Sequence, residues 1–181
     1  MLLRRMVVTG ALFAVSAFAA PCFADTMSYT ATLRGTSEVP PNGSAATGFA
    51  TLTLNGNLLS VTETFSGLTT PALAAHIHCC APVGTNAAVV VPFAGFPSAT
   101  FGTYTNVFDL STFAFGGGLT ESTFLAGFEN GMAYVNIHNS VHPGGEIEGQ
   151  IYAVTPEPGT FLLLGTGLLG AAGAIRRRLW A

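Results

Sequence analysis

Four histidines fall into two pairs, His76 with His78 and His138 with His142. A spacing of two in an extended strand puts both imidazoles of His76 and His78 on one face and Ile77 on the other. That is chelating geometry. His138 closes a run in which Tyr134, Asn136 and His138 share a face, and His142, Glu146 and Glu148 follow closely. Imidazole suits copper and zinc, and a carboxylate can complete such a site, so His76, His78, His138 and Glu146 are the candidate ligands of a copper or zinc ion. The same residues have a plainer use, which is weighed ahead of the metal: a histidine at a strand end beside Asn, Ser and Glu often serves only to pair neighbouring polar groups.

Cys79 and Cys80 follow the first histidine pair directly. In an oxidising compartment they can close a ring with each other, a vicinal disulfide that stiffens the loop to Asn86, join a Cys-His metal cluster, or pair between chains. The ring is the first expectation. Glu38, ahead of Val39-Pro40-Pro41, reads as the end of a strand and a turn, because paired prolines do not fit a central ladder. A carboxylate near the histidines is its functional alternative. Gly116-Gly117-Gly118 lacks the strand, lysine and helix of a phosphate loop and reads as a flexible connection. There is no Gly-x-Ser-x-Gly, and nothing places a serine beside a histidine as a nucleophile needs.

The elements that must hold these residues are β-strands. Ala50, Leu52 and Leu54 alternate with Phe49, Thr51 and Thr53, Asn55-Gly56 supplies a tight turn, and Leu59 to Phe65 resumes the alternation, which makes a hairpin. Further strands are expected at Tyr29 to Leu33, Ala74 to His78, Ala88 to Val91, Thr103 to Phe108, Ala133 to His138 and Glu146 to Val154. A short helix is expected at Leu119 to Glu129, where Leu119, Phe124, Leu125 and Phe128 share a face. Many short strands with Gly and Pro punctuation predict an all-β, antiparallel Greek-key β-sandwich built as two sheets.

Composition narrows the function. Of 181 residues, 8% are charged and 49% hydrophobic, and there is no lysine, which excludes both a disordered charged tail and a nucleic-acid binder. Arg34 is the one basic residue between Asp25 and Thr155, against eight acidic ones, so the middle of the chain is acidic and the arginines gather at its ends.

Those ends read as addresses. Residues 1 to 24 have the form of a signal peptide: Arg4 and Arg5, an apolar run from Met6 to Phe18, and Cys22-Phe23-Ala24 as a small-x-small cleavage site. At residues 155 to 181, Pro156-Glu157-Pro158 is followed by an uncharged stretch from Gly159 to Ile175 and then by Arg176, Arg177 and Arg178. Seventeen residues at ~1.5 Å each reach ~26 Å, which predicts a short transmembrane helix with its arginines on the cytoplasmic side and the body outside. The order of motif, helix and arginines resembles the PEP-CTERM sorting signal of exported proteins in Gram-negative bacteria. The resemblance implies an exosortase-type membrane protease as partner, cutting near Pro156, Glu157 and Pro158 after a transient inner-membrane anchor.

Within residues 25 to 154, Glu38-Val39-Pro40-Pro41, Ala75-His76-Ile77-His78, Tyr134-Val135-Asn136-Ile137-His138 and Gly144 to Ile151 occur in an order that resembles the CHRD domain named from chordin. The likeness runs from about Tyr29 to Tyr152. The chain departs from it at Glu148, where the family often has Arg, and at Asn139, where Thr often follows. The resemblance implies a β-rich extracellular module with no established catalytic activity. The expectation is therefore an exported, non-enzymatic surface or matrix protein whose partners are matrix polysaccharide or envelope proteins. The rival is a copper or zinc redox enzyme built on His76, His78, His138 and either His142 or Glu146.

Overall fold

In a computed structural model, residues 26–154, 164–170 and 176 are described. The chain runs through β1 (Met27–Arg34), β2 (Thr47–Asn55), β3 (Leu58–Ser66), β4 (Ala72–Cys79), β5 (Ala88–Pro92) and β6 (Gly102–Asp109). It continues through α1 (Glu121–Glu129), β7 (Tyr134–Asn139), β8 (Ile147–Gln150) and β9 (Tyr152–Ala153). Strict alternation makes β2 and β3 strands: Gly48, Ala50, Leu52 and Leu54 are buried on one and Leu59, Val61, Glu63 and Phe65 on the other, with the intervening side chains mostly facing out. Their hairpin turns at Gly56-Asn57, since Asn55 pairs with Leu58, one residue later than the sequence suggests. Gly56 supplies the positive φ, 56°.

All the pairings are antiparallel, and they join into one sheet in the order β5-β4-β7-β8-β1-β2-β3-β6, with β9 beside β1. The expected pair of separate sheets is therefore corrected to one curled sheet, a half-barrel. Its two halves are continuous through β1 and β8, whose ladder is the single pair Arg34↔Glu148. The sheet curls far enough to bring its two outer strands together through side chains, without a ladder: Phe93, just past β5, stacks on Tyr104 of β6 at 4.9 Å and lies 6.0 Å from Phe108. Helix α1 is started by a Thr120/Thr123 capping box and buries Phe124 and Phe128 in the enclosed core, where Phe128 meets Tyr29 edge-on at 4.6 Å.

The polyglycine run is a packed turn. Gly116–Gly118 forms a 3-10 turn against β5, and a side chain at Gly116 would run into the Val89 carbonyl. β7 and β8 differ from β2 and β3 in being buried on most positions of both faces. On the face turned from the core the backbone at Ala87 and Pro143 comes up against His78 and His138.

The signal peptide expected at residues 1–24 and the sorting residues Pro156, Glu157, Pro158, Arg177 and Arg178 lie outside the described residues. Residues 164–170 are helical, as is Arg176, and no helix among the described residues is long and apolar enough to cross a membrane.

Candidate metal centre

Register assembles the cluster. In the β4–β7 ladder His76 pairs with Asn136 and His78 with Tyr134, while Ala74 pairs with His138, so His76, His78 and His138 all project from the face opposite Ile77, Val135 and Ile137. One ligand atom from each of the three lies within 4.8 Å of the others. The ring centroids are 4.9 Å apart for His76 and His138, 5.5 Å for His76 and His78, and 5.9 Å for His78 and His138.

Two rings are held by backbone. His78 Nδ1 lies 3.0 Å from the Ala87 carbonyl and His138 Nδ1 lies 3.1 Å from the Pro143 carbonyl. A carbonyl oxygen only accepts, so each Nδ1 carries the proton and donates, and each Nε2 keeps its lone pair. Those two Nε2 atoms and Nδ1 of His76 are buried without a hydrogen-bond partner. Tyr134 steadies the arrangement: its ring stacks on His78 at 4.7 Å, and its hydroxyl accepts from Ala87 N–H at 3.0 Å, fixing the loop whose carbonyl accepts from His78. Burial, with His138 and His78 close by, pushes His76 down to about 4. Burial likewise lowers His78 and His138, overcoming the hydrogen bonds to Ala87 and Pro143. All three rings are thus neutral at ordinary pH, the form in which imidazole binds a metal.

Glu146 is not part of this group. Its fully buried carboxylate accepts from Ser44 Oγ at 2.6 Å, Thr69 N–H at 2.9 Å, Thr69 Oγ1 at 3.1 Å and the Asn139 amide, and His142 Nδ1 lies 3.9 Å from it. Its oxygens are occupied in tying the 42–46 and 68–70 segments to the end of β7. The sequence placed it with the histidines by proximity along the chain. It precedes the first residue of β8, so strand parity does not carry it to their face.

The carboxylates that do lie on that side are Glu38 and Glu148. Glu148 pairs with Asn136 across β7–β8, and Asn136 Nδ2 donates to Glu38 Oε2 at 3.4 Å. Burial and the neighbouring Glu148 push Glu38 up to about 8, and burial pushes Glu148 to about 7. Asn136 was in view in the sequence as a face-mate of His138 and a member of the Tyr134-to-His138 motif, without a partner assigned.

Cys79 and Cys80 form a disulfide with each other, beside the His78 end of β4, and the peptide bond joining them is cis. Both sulfurs are therefore in the bridge. Gly127 of α1 sits against them: a methyl group there would collide with both, 2.6 Å from Cys79 Sγ.

The four motifs singled out in the sequence thus meet at one corner, as the β1–β2 connection, the His-x-His strand, β7 and β8. The model of the CHRD domain matches residues 29–151. The chain belongs to the CHRD family. The CHRD domain fills nearly all of the described body, and the PEP-CTERM protein-sorting motif matches residues 154–178 directly after it. No curated protein and no solved structure matches the chain.

Proposed function

We propose that this protein is an exported, non-enzymatic binding module of a Gram-negative cell surface or extracellular matrix. The observation that carries the reading is the order of the two matches, a CHRD domain ending at 151 and a sorting motif starting at 154, so that the signal begins where the folded body stops. Residues 1–24 act as the signal peptide. The C-terminal segment is a transient inner-membrane anchor, and an exosortase-type protease cuts near Pro156-Glu157-Pro158. The disulfide between Cys79 and Cys80 supports an oxidising destination.

The partners are matrix polysaccharide or envelope proteins. A groove of about 390 Å³ at the join of β1 and β8 supports a sugar ligand, being lined by the hydroxyls of Thr30, Thr32 and Ser37, the Gln150 amide, the Glu148 carboxyl and the ring of Tyr152. Fractionating cells and measuring the intact mass of the surface-exposed product tests the reading. A product lacking both ends, with its two remaining cysteines refractory to alkylation until reduced, is expected. A full-length cytosolic chain with free thiols would overturn it.

A further inference from the structure

We infer that His76, His78 and His138 form a binding centre for one transition-metal ion of the imidazole-preferring class, zinc or copper, with coordination left open for a non-protein ligand. This goes beyond the export reading and does not depend on it.

The first support is geometric. Three nitrogens on two adjacent strands lie within 4.8 Å of one another, and two imidazole nitrogens on a tetrahedral ion with bonds of ~2.0–2.1 Å sit about 3.4 Å apart. Metal uptake thus asks for a modest closing of the rings and no change of register. The second support is that one nitrogen of each ring has nothing else to do. His76 Nδ1, His78 Nε2 and His138 Nε2 are buried without a partner, whereas buried polar atoms are nearly always paired.

The third is the outer shell. A metal-bound imidazole characteristically donates its other N–H to a carbonyl or carboxylate, which fixes ring and tautomer, and His78 and His138 already do so to Ala87 and Pro143. The donor set settles the class of ion: three nitrogens suit zinc and copper, while magnesium and calcium take oxygen ligands. Three protein ligands leave a tetrahedral position open. A cleft of about 230 Å³ lined by Ala74, His76, Pro92 and Phe96 gives access from the His76 side.

The test uses the exported protein, stripped with a chelator, dialysed, and equilibrated separately with zinc, copper(II) and magnesium. Metal analysis should find one zinc or one copper per chain and no magnesium. His142→Ala, outside the trio, should keep that stoichiometry, and His138→Ala should bind at least roughly 100-fold more weakly, since losing a ligand costs more than losing an outer-shell partner. Should the variant not fold, ring-nitrogen NMR of the wild type decides: zinc should move the signals of His76, His78 and His138 and leave those of His142 in place. No uptake of either metal, uptake unchanged in folded His138→Ala, or shifts confined to His142 would each overturn the proposal.

Discussion

His138 and Asn139 are consecutive residues of β7, yet they belong to two buried polar clusters of opposite character. Asn139 stands with Glu146, Ser44 and Thr69. There its amide donates to Glu146 and to the Thr70 carbonyl at 3.2 Å, and its oxygen accepts from Val141 N–H and His142 N–H at 3.1 and 2.8 Å. His138 stands with His76 and His78, where three ring nitrogens are buried and unpaired. A buried polar group with all its bonds made holds a fold together, while one held in place by its neighbours and left with a free lone pair is poised for something that arrives from outside. Glu63 is a third case: it is buried in the core of the half-barrel with neither oxygen bonded among the described residues, and burial alone accounts for its raised pKa.

Removing the paired cluster should cost most. Glu146→Ala strips the acceptor from two hydroxyls, one backbone N–H and one amide in a buried place, and a loss of about 3–5 kcal/mol in urea unfolding is expected. A loss under about 1 kcal/mol would erase the distinction between the clusters.

Glu63 sharpens the comparison through pH. Burial raises it to about 8 from an ordinary 4.5. The folded chain then keeps a proton that the unfolded chain releases, so stability is full below about 4.5 and falls as pH rises toward 8. Denaturant unfolding from pH 5 to 8.5 should show a decline to which Glu38 and Glu148 also contribute and which the three neutral histidines oppose at its acid end, and Glu63→Gln should make it shallower by a few kcal/mol. An equal slope in the variant would show that this carboxyl is not the source.

Gly127→Ala probes the disulfide corner, which abuts the His78 end of β4. Pushing a methyl into Cys79 and Cys80 should cost about 1–3 kcal/mol, and reducing the bridge should recover part of the loss. The smallest effect belongs to the trio itself: without metal, His138→Ala forfeits one hydrogen bond, to Pro143, and about 1 kcal/mol or less in thermal unfolding. A large loss there would mark the histidines as structural.

Much of this corner was legible along the chain because it rests on strand parity. His76 and His78 share a face by a spacing of two, and β2, β3 and β6 follow the alternation of their own residues. What escaped depends on contacts that periodicity does not encode. The two-sheet expectation failed at one bridge, Arg34↔Glu148, which makes the sheet continuous. Glu38 meets Asn136, 98 residues away, only once the Val39-Pro40-Pro41 turn folds back over β7. Glu146 was misplaced for a related reason: lying outside β8, it takes its direction from the Ser44 and Thr69 segments that converge on it.

The most direct test sets the two neighbours of β7 against each other, by measuring the melting temperature of wild type, His138→Ala and Asn139→Ala with and without saturating zinc. A ligand held only by the folded state at 100 times its Kd adds about 2.7 kcal/mol. Zinc should raise the wild type and Asn139→Ala alike, with Asn139→Ala starting from a much lower melting temperature, and should leave His138→Ala where it was. An equal rise in His138→Ala, or no rise in the wild type, would contradict the account.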